Sequence, residues 1–442
     1  MKLFICKSIL IFFIALFSDN AVAKLFEADE FVLDNGLHCV VIQNHRAPLV
    51  KHMVWYKVGS VDEKKGKSGS AHLLEHLMFR GSKKVRDGEF NAVMHNNGVD
   101  SNAFTSHDVT VYHQFSDITK LELLMAFEAD RMQNLKFDKK AFEAEQKIVF
   151  QERMQMVENN PSAPFYENIN SMLFGLSPYG YPVTGFTDEI KKITYDDIYD
   201  YYKDFYAPNN AILVISGDIN IDQAKELVQK YYASIPRREV KQSVFDDDSI
   251  LFSKTLEMKL PNIKATKVVN KYLLDNYKKM DKKYYNYIVL AEYLGGGDTS
   301  ELYKNLVVNE KKAVSINVGY SFVSRGRSVF HISSILNNGV DVSQFNELLD
   351  EALYNTYDNL DDNKLNRIKR KILSDLIYAN DNPEDAAYTV GFMLANGFSL
   401  DEVQNYEKNI SEVNLDGVKA AFKDIFENSS SVKGVLKPEV LK

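Results

Sequence analysis

Apolar and polar residues alternate in short bursts along this chain, and between the bursts lie longer stretches whose apolar positions recur every three to four residues. Phe31 to Leu33 and Leu37 to Ile42 predict two strands around the turn Asp34-Asn35-Gly36, and Val50 to Val58 predicts a third. A Gly/Ser/Lys-rich loop then leads into a helix that begins near Ser70 and stops at Gly81. Val99 to Phe115, enriched in Thr, Val and Tyr, predicts paired strand segments, and Leu121 to Leu135 an amphipathic helix. Asp138 stands as the N-cap of a long helix that runs through Glu145 and Glu152 toward Asn159-Asn160-Pro161. Ala211 to Gly217 predicts a short buried strand, followed by the helix Ile221 to Tyr232.

The periodicity then lapses. Residues 236–253, from Pro236 through Asp246-Asp247-Asp248, read as a linker. Beyond it the same kinds of element return: strands at Leu256 to Leu260 and Thr266 to Leu274, a helix from Lys283 to Leu294, a glycine turn at Gly295 to Gly297, strands at Val314 to Phe322 and Ser328 to Leu336, and further helices. The pattern predicts an α+β chain of two similar α/β-sandwich halves, 24–235 and 254–442, built as a duplicated domain.

Residues 1–23 stand apart. Lys2 and Lys7 precede the apolar run Ile9 to Phe17 and the small triplet Ala21-Val22-Ala23, the layout of a signal peptide cleaved after Ala23. That run of nine residues is short against the roughly 20 that span a bilayer. No comparable run follows, so the exported chain is expected to have no stable membrane insertion. With Cys6 in the leader, Cys39 is the only thiol left; no intramolecular disulfide can form, and its neighbours Val40, Val41 and Ile42 predict a buried strand position. The formal charge of -8 argues against a nucleic-acid partner.

Candidate chemistry concentrates in the first half. Of nine histidines, only His331 lies beyond His113. Within Ser70-Ala-His72-Leu-Leu-Glu75-His76, the two histidines are four apart, on one helix face, close enough for both imidazoles to bind one zinc ion. Glu75 lies beside them, placed to take a proton from a water activated by the metal without being a ligand. Leu73, Leu74 and Leu77 would anchor the opposite face in a core. A chance His-x-x-Glu-His is expected in roughly one chain of this length in a hundred. A catalytic zinc commonly takes a third protein ligand; Glu152 is a candidate, and spacing alone does not select it over Glu143 or Glu145.

The inverted zinc motif resembles that of the pitrilysin-type (M16) zinc metallopeptidases, in particular short bacterial members similar to mitochondrial processing peptidase subunits. The likeness continues through Gly98-Val-Asp-Ser-Asn102-Ala103-Phe104-Thr105, Phe174 to Gly185, Tyr201 to Asn210 and Val214 to Asp218. It implies that Glu152, 76 residues beyond His76, is the third ligand of one zinc ion, and that Glu145 supports catalysis from beside the metal. It implies two halves facing each other around a chamber, with Asn102, Ala103, Phe104 and Thr105 forming an edge that captures an extended peptide through main-chain hydrogen bonds. The chain departs from the family where an Arg and a Tyr usually hold substrate in the second half: Asn309 stands in place of the arginine, and neither Val314 nor Ile316 is a tyrosine. Tyr320, Arg325 or Arg327 acting from a shifted position is one alternative. The resemblance therefore implies the zinc-bearing partner of a two-subunit enzyme, with a homologous partner carrying the Arg/Tyr pair, or else a homodimer. The expectation is a periplasmic zinc endopeptidase. Its competitor is a non-catalytic subunit that keeps the fold for assembly or peptide binding, and the retained Glu75 stands against that.

Overall fold

The alternating segments pair into two sheets. The computed structural model describes residues 28–241, 252–380 and 382–439; the leader expected over 1–23 and residues 242–251 of the expected linker lie outside them. The first sheet contains β1 (Ala28–Val32), β2 (His38–Gln43), β3 (Leu49–Tyr56), β4 (Asp100–Thr105), β5 (Thr110–Asp117) and β6 (Ala211–Gly217), in the order β1-β2-β6-β3-β5-β4. Every pairing is antiparallel except β2 with β6. On β3, Val50, Val54 and Tyr56 face one side while Met53 and Trp55 face the other, as a two-residue period requires, and all are buried. Cys39 is fully buried on β2, and burial raises its thiol pKa well above the usual range.

The Cys39 face packs beneath α1 (Ser70–Leu77), α3 (Leu121–Asn134) and the helices Tyr195–Phe205 and Ile221–Tyr232. Here α1 ends at Leu77 and not at Gly81. Leaving the helix early lets Phe79 place its ring edge-on to Phe90 and tilted against Tyr112. A helix that the periodicity did not disclose, α2 (Glu89–Asn96), holds on by Phe90 and Met94 alone, packed with Val85, Val99 and Leu124. Next in the chain come α4 (Lys139–Asn159), capped by Asp138 accepting from the Ala141 N–H at 2.7 Å, and α5 (Ala163–Phe174).

The second sheet runs β7-β11-β8-β10-β9, from β7 (Lys254–Leu260), β8 (Lys267–Leu274), β9 (Ala313–Ser321), β10 (Ser328–Leu336) and β11 (Ser430–Pro438). Tyr272, Phe330 and Ile332 meet the Tyr284–Gly295 helix and its neighbours on one face. Among the described residues, no helix is long and apolar enough to cross a membrane.

Each sheet has a second face, and the opposite half covers it. From the second half, the Pro383–Ala395 helix lays Ala387, Val390 and Leu394 on Val40, Trp55 and Val214 of the first sheet. Buried Lys51 meets Glu384 of that helix at 2.6 Å. In return α5 sets Phe165, Ile169 and Leu173 against Val269, Val432 and Leu436 of the second sheet. Arg325, in the β9–β10 loop, adds a two-pronged bond to buried Asp62 at 2.5 and 3.2 Å and a bond to Asp108 at 3.1 Å. The seam is tight at Gly391, where a Cβ would fall 2.1 Å from Trp55 Nε1. Gly391→Ala is therefore expected to lower unfolding stability by about 1–3 kcal/mol in denaturant titration; unchanged stability would mean that Trp55 yields at no cost.

Candidate metal centre

The start of α1 is fixed before any histidine appears. Gly69 sits at φ +93°, and a Cβ there would come 2.9 Å from the Thr184 carbonyl, so turn and crowding both select glycine. Glu63 accepts from the N–H groups of Gly69 at 3.0 Å and Ala71 at 2.8 Å, taking up donors that the helix cannot satisfy itself. The segment after Pro182 braces the same turn, with the Phe186 N–H donating to Ser68 Oγ at 2.9 Å. Leu73, Leu74 and Leu77 are buried on the inner side of α1. His72 and His76 are left on the outer side, toward α4.

Across from them α4 presents two carboxylates on one face and one on the other. Glu152 Oε2 lies 3.8 Å from His72 Nε2 and 3.5 Å from His76 Nε2. Glu145, two turns earlier and buried, accepts from His76 Nδ1–H at 3.0 Å. Because an ionised carboxylate only accepts, this bond places a proton on Nδ1, so that Nε2, which faces Glu152, is the nitrogen a metal would take. Glu143 is exposed, half a turn out of phase. Arg80 contacts Glu145 at 3.5 Å, a partner that the sequence pattern did not disclose although Arg80 follows His76 by four residues.

The electrostatics separate the two imidazoles. Burial and the neighbouring His76 hold His72 down to a pKa of about 4, so at neutral pH it is an uncharged lone-pair donor. Burial works against charge on His76 too, but the Glu145 hydrogen bond and the charges of Glu152 and Glu75 outweigh it and raise its pKa. Glu75 is raised by burial and by Glu152, against the opposing pull of its Thr105 hydrogen bond and of His76. That hydrogen bond, from Thr105 Oγ1 at 2.5 Å, ties the carboxylate of α1 to the end of β4.

His72, His76 and Glu152 each offer one ligand atom, all within 4.8 Å of one another. Tetrahedral zinc with bonds of about 2.0–2.2 Å needs donors roughly 3.3–3.6 Å apart. A donor set of two imidazole nitrogens and one carboxylate oxygen, with one imidazole held by a further carboxylate, fits zinc in number and kind, and Glu152 at 3.5 and 3.8 Å from the two Nε2 atoms stands near the separation required. Among the described residues this is the group of three His, Cys, Asp or Glu side chains that converges in this way.

The remaining expected residues fall on β4, which pairs with β5 on one side and, among the described residues, has no strand on the other. Asn102 is exposed, its Oδ1 turned onto the Ala103 N–H at 2.8 Å. Ala103 packs toward the first-half core, and Phe104 meets Trp55 and Tyr388 at ring separations of 5.8 and 5.7 Å. The structure thus brings Thr105 to Glu75 and leaves the outer main chain of β4 unpaired by any strand. In the second half, Val314 is exposed and Ile316 buried. Of the alternatives to the missing pair, Tyr320 shares its hydroxyl with Ser328 at 3.1 Å, Arg325 is held by Asp62 and Asp108, and Arg327 reaches Asp275 at 3.1 Å.

The chain is similar to known proteins along most of its length. The zinc protease PqqE of Helicobacter pylori is 26% identical over 436 residues, 95% of each chain. A crystal structure of a protease from Helicobacter pylori superposes with a TM-score of 0.87 at 25% identity, over 93% of this chain and 100% of the other. A probable mitochondrial-processing peptidase β subunit of Arabidopsis thaliana is 26% identical over 218 residues, covering 49% of this chain and 41% of that one. The family model described as insulinase, peptidase family M16, matches residues 39–186, and the one described as the M16 peptidase inactive domain matches residues 192–372. With both of that family's domains in order along one chain and its two-domain fold around them, this protein belongs to peptidase family M16.

Proposed function

We propose that this chain is a zinc-dependent endopeptidase that hydrolyses peptides or unfolded segments, and that it is the zinc-bearing subunit of a two-subunit enzyme. The observation that carries the reading is the convergence of His72, His76 and Glu152 with a Glu75 carboxylate held alongside by Thr105. Zinc bound there would polarise the scissile carbonyl and make water a nucleophile at neutral pH. The chain's own residues do the rest. Glu75, whose pKa is raised toward the working range by burial, takes the proton from the attacking water and returns it to the leaving amine. Glu145 orients His76. The unpaired edge of β4 holds the peptide extended by main-chain hydrogen bonds, with Asn102 to Thr105 alongside it.

The partner belongs to the proposal because the second half lacks the expected Arg/Tyr pair and its alternatives are engaged elsewhere. A homologous subunit carrying that pair would complete the peptide site; the mitochondrial-processing likeness supports this, and a homodimer is the simpler form of it. Export to the periplasm rests on the leader pattern of Lys2, Lys7 and Ala21 to Ala23.

Three outcomes test these statements. Glu75→Gln should retain one zinc per chain while cleavage of a peptide mixture falls by about 10²–10⁴-fold; unchanged turnover would remove Glu75 from the mechanism. Glu152→Gln should weaken zinc retention after dialysis by more than the roughly 10–100-fold that loss of a supporting partner costs, and equal metal content would reassign the third ligand. Protein recovered from a periplasmic fraction should begin at Lys24, whereas a chain that keeps residues 1–23 would discard the export reading.

A further inference from the structure

Beyond the end of β4, between the two halves, lies a cavity of about 550 Å³. Ser106 and His107, in the turn that follows Thr105, form part of its wall; Asn170 of α5 and Lys271, Asn317 and His331 of the second sheet are among its other polar lining residues. Charge is not balanced there. Asp108 is the one carboxylate among the lining residues, and it is taken up by the Tyr179 hydroxyl at 2.5 Å and Arg325 at 3.1 Å. Arg327, also at the wall, faces Asp275. Lys271 has no such counter-charge: its Nζ donates to the neutral Asn170 Oδ1 at 2.7 Å, and among the described residues no carboxylate lies within ion-pair distance. Burial lowers the Lys271 pKa, and burial together with Lys271 lowers that of His331, so the cavity disfavours its own cations.

The wall is built around this cation. Lys271 and His331 are direct partners across the β8–β10 pair, and both line the cavity. The His331 ring lies over Gly319 of β9, where a Cβ would come 2.4 Å from its Cε1, and its Nε2 is set 3.0 Å from Asn317 Oδ1. A partly buried ammonium without a counter-ion is costly, and an arriving anion offsets that cost. We propose that this cavity is a specificity pocket for a carboxylate of the peptide substrate, with Lys271 as its counter-charge. An extended peptide paired along β4 and continuing past Thr105 runs into it. The inference rests on the peptidase reading and deepens it: the preferred substrates carry an Asp or Glu side chain, or their terminal carboxylate, at a fixed distance on one side of the cleaved bond.

The test uses the full exported chain with Glu75→Gln, so that peptides bind uncut, and labelled ten-residue peptides of Ala, Val and Thr in which one Glu or one Gln is walked along the sequence. Each is made with a free and an amidated C-terminus, and binding is read by fluorescence anisotropy. Glu should bind at least about tenfold more tightly than Gln at one position, or the free acid more tightly than the amide; the first result assigns a side-chain carboxylate and the second a terminal one. The preference should vanish in Lys271→Met and turn toward a Lys-bearing peptide in Lys271→Glu. Equal affinity of all acid and amide forms overturns the pocket without any change at Lys271, even if the unsubstituted chain cleaves these peptides. A preference undiminished in Lys271→Met overturns it as well. A carboxylate preference in a chain whose Glu75 form cleaves nothing, either alone or with a homologous subunit carrying the Arg/Tyr pair, would keep the pocket and discard the peptidase reading.

Discussion

A sheet in water must bury both faces or leave one wet, and among the described residues each sheet has one face covered by a helix from the opposite half. The solution is an exchange. The Pro383–Ala395 helix covers Trp55 and Val214 of the first sheet, and α5 covers Val269 and Val432 of the second. At roughly 25 cal/mol per Å² of apolar surface, each buried aromatic or leucine at this seam contributes about 1.5–3 kcal/mol, so contact between the halves is a substantial part of the stability of the folded chain. The bond of Arg325 to Asp62 adds direction to that apolar contact. Removing one partner from so buried a pair would strand the other's charge.

Everything at the metal centre depends on the rigidity this provides. Three carboxylates and two imidazoles stand within a few ångströms of one another around α1 and α4. Such a cluster persists because each group is held by something specific: Glu63 fixes the helix start, Glu145 turns His76, and Thr105 holds Glu75. Since β4 carries Thr105 and α1 carries Glu75, the proposed base and the peptide-binding edge are joined by one hydrogen bond.

The legible parts of the fold were those with a local cause. Strands β2, β3 and β6 follow from short, nearly continuous buried runs, β10 from two-residue alternation, and Ile221–Tyr232 from its apolar stripe. The His-x-x-Glu-His pairing was legible because helical geometry alone puts residues four apart on one face. Selecting among Glu143, Glu145 and Glu152 was beyond spacing, since it depends on how α4 is rotated about its axis. The structure brings Glu152 to both Nε2 atoms, Glu145 to Nδ1 and leaves Glu143 exposed. The early end of α1 and the short α2 arise from the aromatic contacts of Phe79 and Phe90 with distant residues. The helix exchange was hidden for the same reason: an apolar stripe shows that a face is covered, not which half of the chain covers it.

The open edge of β4 has a consequence for self-association. An unpaired strand edge offers the same row of hydrogen-bonding groups to another copy of the chain as to any peptide, and proteins ordinarily blunt such edges. This one is only six residues long and starts at the exposed charge of Asp100, while Phe104 is turned inward against Tyr388 of the opposite half. A loose, single extended strand can approach such an edge more readily than the flat side of a second folded sheet. The docked halves thus act as a guard against edge-to-edge aggregation, and a chain whose halves came apart would expose a sticky strand together with the apolar face around Trp55.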